Sequence, residues 1–228
     1  MKAVLVETRE LAPEVRHFVF EAETPKLDYV PGQFVSLSAE LEGREITRAY
    51  SICSAPEGNR FELWLNRVPD GRFSPYLFAL RPGEAVEAQG PLGFFTLREP
   101  PNDSVMVATG TGIAPFRAML RDRLGKDRES RCTLVFGVRH EQGLLYREEF
   151  EAMERECAGF FFWPVLSRPD ARWRGRTGHV QPHVQEAVGD RRDVDVYVCG
   201  LKLMVDDVRS MLKGVGFDRR RIVYEKYD

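Results

Sequence analysis

The sequence predicts two domains: an antiparallel β-barrel followed by an α/β domain built on a parallel sheet. Three observations carry this. Up to about residue 90 the chain is a series of short alternating segments split by Gly and Pro turns. From Val105 onward, apolar strands alternate with segments of helical period. Between the two regimes lies Arg98-Glu99-Pro100-Pro101-Asn102-Asp103, polar and proline-rich as a domain boundary is. The domains are therefore expected at residues 1–99 and 100–228.

In the first half, strands are expected at Ala3–Arg9, Val15–Ala22, Gln33–Ala39, Thr47–Cys53, Phe61–Val68 and Ala85–Gln89. Each alternates as a half-buried strand does. Pro31-Gly32, Glu42-Gly43, Glu57-Gly58-Asn59 and Arg81-Pro82-Gly83 separate them, and strands at this spacing suit a small barrel. One helical piece, Ser74–Leu80, interrupts the series.

The second half opens on an apolar strand, Val105–Ala108, that breaks into Gly110-Thr111-Gly112 and runs straight into a helix, Ala114–Leu124. Glycine at both positions permits a sharp turn and lets a bulky anion approach the main chain. The helix that follows offers unpaired N–H groups and the positive end of its dipole. Pro115 suits an early helical position, where its missing N–H is not needed. The turn departs from G-x-G-x-x-G, because Pro115 stands where the third glycine would be, and it lacks the lysine of a phosphate-binding loop. Taken alone it is equally a turn that serves only the fold.

Strand and helix then alternate through Thr133–Val138, Tyr146–Glu156, Phe160–Ser167, Val180–Val188, Val194–Cys199, Lys202–Lys213 and Ile222–Tyr224. This βαβ repetition requires a parallel sheet with helices on both faces, and such sheets bind ligands outside the carboxyl ends of their strands.

Composition narrows the function. With 43% hydrophobic residues the chain can build a real core, and its net charge of −2 argues against a nucleic-acid partner. The segment Met1–Arg9 alternates like a strand and no stretch is apolar enough to span a bilayer, so a cytoplasmic protein without membrane insertion is expected. Cys53, Cys132, Cys157 and Cys199 are too dispersed for a zinc site or a plant-type iron–sulfur loop. Any iron–sulfur centre is therefore expected on another protein. Asn102-Asp103-Ser104 matches a glycosylation acceptor, which without a secretory signal is a chance match.

Two stretches of the barrel half point to a flat, phosphorylated ligand. On an expected strand, Arg48 and Tyr50 share one face and Ser51 takes the other. Asp70-Gly71-Arg72-Phe73-Ser74 precedes a helix, a second anion-binding start with Ser74 as its cap. Singly they read as a surface arginine and an ordinary helix start; together they favour a bound diphosphate. In the second half, Ser167-Arg168 ends a strand ahead of Arg172, Arg174 and Arg176, with Asp170 among them, and guanidinium is the group best suited to a 2′-phosphate. Met204, Val208, Met211 and Leu212 recur at helical spacing and are assigned to the core.

Arg48-x-Tyr50-Ser51, Gly71-Arg72-Phe73-Ser74, Gly90-Pro91-Leu92-Gly93-Phe94, Gly110-Thr111-Gly112-Ile113-Ala114-Pro115, Cys199-Gly200-Leu201-Lys202-Leu203-Met204 and Tyr224-Glu225-Lys226-Tyr227 follow one another in this order. In that order they resemble the ferredoxin–NADP reductase superfamily over nearly the whole chain. The resemblance implies an FAD-binding barrel and a Rossmann-like NAD(P)-binding domain, without an iron–sulfur domain. It implies that Tyr50 lies against the flavin ring, that Arg48, next to Ala49 in the same segment, pairs with the pyrophosphate, and that Ser51 brings its hydroxyl near the flavin N5. The backbone of Leu65, Asn66 and Arg67 holds the ribityl and phosphate part, while Gly71, Arg72, Phe73 and Ser74 supply donors to the pyrophosphate; that second phosphate motif favours FAD over FMN.

By the same resemblance, Gly110, Thr111 and Gly112, with Pro115 opening the helix, receive the phosphates and ribose of the nicotinamide nucleotide. Cys199-Gly200 brings a small thiol beside the nicotinamide as a steric guide, with Ser51 and Glu225 as the polar groups near N5. Tyr227 is expected to lie on the flavin face that nicotinamide must occupy, reaching it by about three residues beyond the strand that ends at Tyr224, although Asp228 follows where relatives end on the aromatic. Ser167 and Arg168 resemble users of NADPH at this position, whereas Trp173–Gly178, which holds the third candidate, Arg176, is similar to NADH-using oxygenase reductases. The expected function is hydride uptake from NADPH (or NADH) and delivery of single electrons to a separate carrier such as a ferredoxin or flavodoxin. An NADH-dependent oxygenase reductase component, a free-flavin reductase and a flavin-binding electron-transfer subunit of a larger complex stand as alternatives.

Overall fold

A computed structural model describes residues 1–124, 126 and 130–227. The alternating segments of the first half form antiparallel strands β1 (Lys2–Ala12), β2 (Val15–Ala22), β3 (Phe34–Leu41), β4 (Arg44–Ser51), β5 (Arg60–Asn66) and β6 (Ala85–Leu92), in the order β4-β3-β6-β1-β2-β5. A bridge between Ile52 and Leu63, with the Cys53 N–H donating to the Glu62 carbonyl at 2.9 Å, joins the two ends of the sheet and closes a barrel. Continued past that bridge, the antiparallel register would oppose Tyr50 to Leu65 and Arg48 to Arg67. No ladder pair forms there among the described residues, so β4 and β5 part at that end.

Alternation sends Leu5, Phe18, Phe20, Leu37, Phe61 and Leu63 into the barrel, each fully buried. Each such side chain stabilises the fold by about 1.5–3 kcal/mol. Helix α1 (Phe73–Ala79) adds Phe73 and Leu77 to the same core.

In the second half β7 (Ser104–Thr109), β8 (Cys132–Val138), β9 (Phe160–Leu166), β10 (Arg176–Thr177), β11 (Asp195–Leu201) and β12 (Ile222–Tyr227) form a parallel sheet in the order β10-β9-β8-β7-β11-β12. Val105, Val107, Val135, Val196 and Val198 cover one face together with Val184 of α4 (Val180–Val188) and Val208 and Leu212 of α5 (Lys202–Gly214). On the other face Phe162 meets Phe150 of α3 (Arg147–Glu156), ring centres 5.4 Å apart. Strand order reverses at β7, which has β8 on one side and β11 on the other. Such a reversal opens a crevice at the carboxyl ends of the strands.

Several elements differ from expectation. The Gly-Thr-Gly turn is a 3₁₀ turn, Gly110–Ile113, ahead of α2 (Ala114–Arg123). The two-residue β10 was not anticipated, being too short to show a period. Strand β12 does not stop at Tyr224: its pairing with β11 continues through Glu225, Lys226 and Tyr227, opposite Cys199, Gly200 and Leu201, so no free three-residue tail carries Tyr227. Asp228 lies outside the described residues. Contacts divide the chain into two compact units, Met1–Leu97 with Ala114–Asp122, and Arg98–Ile113 with Arg123–Asp228. Residues Ala114–Asp122 of α2 thus belong to the barrel unit, where Phe116 meets Phe95 at 5.6 Å between ring centres. Among the described residues no helix is long and apolar enough to cross a membrane.

Candidate functional site

Where β4 and β5 part, Tyr50 is half-buried and its ring lies against that of Phe73, centres 6.4 Å apart and planes within 17°. That contact brings the Arg48–Ser51 and Gly71–Ser74 stretches together. Burial pushes the Tyr50 phenol up to about 12, with the Arg48 charge opposing it, so the ring stays neutral. Arg48 shares the face of Tyr50, as their partners Leu37 and Val35 show, and is exposed, with Nη1 donating to the Thr47 carbonyl at 2.8 Å. Ala49 is exposed and Ser51 buried.

Across the gap Leu65 is buried while Asn66 and Arg67 are exposed; the Arg67 N–H already donates to the Glu14 carbonyl at 2.8 Å. Arg72 is exposed and 3.0 Å from Glu42, a surface pair of little strength that an incoming phosphate can displace. The assignment of Ser74 as helix cap is corrected. Arg72 occupies the cap position, and the Ser74 hydroxyl instead accepts from the Val68 N–H at 2.9 Å, closing the loop on itself. The parted ends of β4 and β5, a neutral half-buried ring and exposed guanidiniums fit a flat ring bearing a phosphate chain, as a flavin nucleotide is.

In the second unit the two glycines of the turn divide the work expected of both. A Cβ on Gly112 would stand 2.5 Å from the Cys199 carbonyl oxygen and 2.7 Å from Gly200 Cα. Gly112 therefore makes room for the main chain of β11 rather than for an anion. Gly200, at φ 141°, returns the approach: a Cβ there would stand 2.3 Å from Thr109 Oγ1, which also lies 3.4 Å from the Leu201 N–H. Gly110, at φ 54°, has open space about it and is exposed, so it is the glycine at which a ligand can reach the backbone. Thr111 is half-buried and Pro115 buried in the first turn of α2.

Beside this junction, Cys199 is fully buried and paired in register with Glu225, and Leu201 with Tyr227. Spacing by two residues puts Cys199, Glu225 and Tyr227 on one face. Burial pushes the Cys199 thiol well above its ordinary range and the charge of Glu225 adds to this, while a hydrogen bond with Tyr227 acts against it. The thiol is therefore protonated at neutral pH.

At the ends of β8 and β9, the Ser167 N–H donates to the Val138 carbonyl at 3.0 Å and the Arg168 N–H to the Arg139 carbonyl at 2.8 Å, while His140 Nδ1 is 2.9 Å from the Arg168 carbonyl oxygen. Arg139 and His140 thus stand beside Ser167-Arg168, which sequence reasoning missed although a basic pair ending an apolar strand was there to be read. Arg168 is exposed and has no acidic partner among the described residues.

Arg172 pairs with Asp170 at 3.4 Å. The Arg176 guanidinium makes two bonds to Glu186, at 2.6 and 2.8 Å, and lies 3.7 Å over the Trp163 ring. Pairing with Val165, next to last in β9, puts the Arg176 side chain over the sheet face that packs on α4. The Asn102 amide donates to the Asp193 carbonyl at 2.7 Å and Ser104 is buried, so the acceptor-like triplet is part of the packed fold.

A family model described as an oxidoreductase FAD-binding domain matches residues 2–97, and one described as an oxidoreductase NAD-binding domain matches residues 106–210. The chain is 42% identical to ferredoxin–NADP reductase B of Sorangium cellulosum, over 100% of this chain and 97% of that one. It is 29% identical to the toluate 1,2-dioxygenase electron transfer component of Pseudomonas putida, over 99% of this chain and 67% of that one. Among solved structures it matches the Amycolatopsis cytochrome P450 reductase GcoB with a TM-score of 0.89 at 30% identity, over 99% of this chain and 69% of that one.

Proposed function

This chain belongs to the ferredoxin–NADP reductase superfamily of FAD- and nicotinamide-dependent electron-transfer reductases, and we propose that it takes hydride from NADPH and passes electrons singly to a separate, ferredoxin- or flavodoxin-type carrier in the cytoplasm. The observation that carries this reading is 42% identity across 97% of a ferredoxin–NADP reductase. Residues 1–99 are the proposed FAD-binding domain and 100–228 the proposed NAD(P)-binding domain.

Bound FAD supplies the chemistry, accepting two electrons together and releasing them one at a time. The protein binds and orients. Arg48 and Arg72 neutralise the diphosphate, and Tyr50, held by Phe73, supports the flat ring. The main chain at Leu65 and Asn66 and the carbonyl of Arg67 hold the linking chain, with Gly71 and Ser74 keeping the opposite loop in shape. Gly110 and Thr111 receive the nucleotide phosphates, while Gly112 and Gly200 fix the junction on which Cys199 sits. In the second unit the protonated Cys199 thiol limits where nicotinamide can rest and Glu225 holds a proton; in the barrel unit Ser51 offers its hydroxyl to the flavin. The 2′-phosphate falls to Ser167 and Arg168, since Arg176 is committed to Glu186.

The test is NADPH-dependent reduction of a purified ferredoxin and a purified flavodoxin by the flavin-loaded chain. Turnover with either carrier supports the reading; turnover with added free flavin alone overturns it. The likeness to a dioxygenase electron transfer component favours a second reading, in which NADH is the donor and an oxygenase component the acceptor.

A further inference from the structure

Arg117 stands two residues after Pro115 in the helix that opens on the Gly-Thr-Gly turn, where an arginine reads as a phosphate ligand. Its side chain points the other way. It is 4% exposed, and Nη1 donates to Glu62 Oε2 at 2.6 Å and to the Cys53 carbonyl at 3.1 Å, with the guanidinium 5.3 Å from the centre of the Trp64 ring. Glu62 Oε2 lies 3.2 Å from His17 Nε2, and Arg9 Nε lies 3.4 Å from His17 Nδ1. Phe18, Phe61 and Leu63 alternate into the barrel, so His17 and Glu62 are on its outer face, the face that α2 covers. Ligand atoms of His17, Cys53 and Glu62 cluster within 4.8 Å of one another, a spacing a metal could use, but the cation that answers the carboxylate there is Arg117.

The helix is therefore bonded into the barrel unit, while the turn that leads into it, Gly110–Ile113, belongs to the other unit. We propose that Arg117 is a positioning residue for the nucleotide half-reaction: its pair with Glu62 fixes α2 and, through the chain step from Ile113 to Ala114, fixes the turn that receives the nucleotide, without either residue touching a ligand. This rests on the reading of that turn as the dinucleotide site.

The experiment compares the flavin-loaded parent with Arg117→Met, Glu62→Gln, Arg117→Lys and the Met/Gln double variant, measuring flavin content, NADP⁺ Kd, the rate of flavin reduction by NADPH, and amide exchange across residues 110–123. Arg117→Met and Glu62→Gln should keep the parent's flavin content while NADP⁺ Kd rises about tenfold and exchange quickens through the turn and α2. Arg117→Lys, which keeps the charge, should recover part of the loss, and in the double variant the effects should not add. Variants with lower Tm but unchanged Kd and reduction rate overturn the proposal, since that is all a merely structural pair would give. If Arg117→Met does not fold, Glu62→Gln and Arg117→Lys decide by the same measures. A parent that neither binds NADP⁺ nor is reduced by NADPH defeats the functional reading instead, and the exchange rates alone then decide whether the pair fixes the turn.

Discussion

Arg48 is exposed on β4 with one bond to a neighbouring carbonyl, so its charge is free to meet a phosphate. Arg48→Ala should yield folded protein that loses flavin on dialysis, since a charge-assisted bond of about 1.5–3 kcal/mol is worth about ten- to hundredfold in affinity. Tight flavin retention would assign Arg48 to the surface only. Arg168→Glu should weaken use of NADPH while sparing NADH, read as the ratio of the two kcat/KM values; an unchanged ratio removes Arg168 from the 2′-phosphate site. The thiols offer a third check. Cys53, Cys132 and Cys199 are buried and burial raises the latter two, whereas Cys157 is half-exposed. A native thiol titration near pH 8 should therefore label Cys157 and leave Cys199 unmodified until the protein unfolds; early labelling of Cys199 would contradict its placement.

At the scale of elements, the strands and helices were legible because each announces itself by period. Short apolar runs between glycines became β7, β8 and β11, and the 3.6-residue spacing of Met204, Val208 and Leu212 became the buried face of α5. What the pattern could not convey was which backbone a glycine faces. Gly110 and Gly112 look alike in the sequence, yet one opens to solvent and the other abuts Cys199 and Gly200. Gly112→Ala should accordingly displace the end of β11 and cost about 1–3 kcal/mol, with nucleotide binding lost. Gly110→Ala meets no atom and should cost only the left-handed conformation, about 1–2 kcal/mol. A Gly112→Ala variant that keeps the parent's Tm and nucleotide Kd would show that the turn does not pack as described. The surroundings of Arg176 were hidden for a related reason: its partner Glu186 is ten residues on, and only the pairing of β10 with β9 decides that the guanidinium turns toward α4.

At the scale of the whole molecule, barrel-then-βαβ order was readable, but the allegiance of α2 was not, because Arg117 and Glu62 are 55 positions apart and nothing local marks them as partners. Burial alone would raise the Glu62 carboxyl, yet the hydrogen bonds and charges of His17 and Arg117 take it from 4.5 down to about 2. A carboxyl depressed on folding adds stability that is fully present above its unfolded value and lost as pH falls toward its folded one. The gap in unfolding free energy between the parent and Glu62→Gln should thus be full above pH 4.5 and shrink toward pH 2. A gap that does not change with pH would mean that folding leaves the Glu62 pKa at its unfolded value, and a gap that shrinks as pH rises would mean that the carboxyl is neutral in the folded protein. The central claim, that this chain draws hydride from NADPH onto a bound flavin, is tested most directly by anaerobic stopped-flow mixing of the flavin-loaded protein with NADPH and, separately, NADH. The account predicts rapid bleaching of the flavin band by NADPH, at lower nucleotide concentration than NADH requires; a band that neither nucleotide bleaches would contradict it.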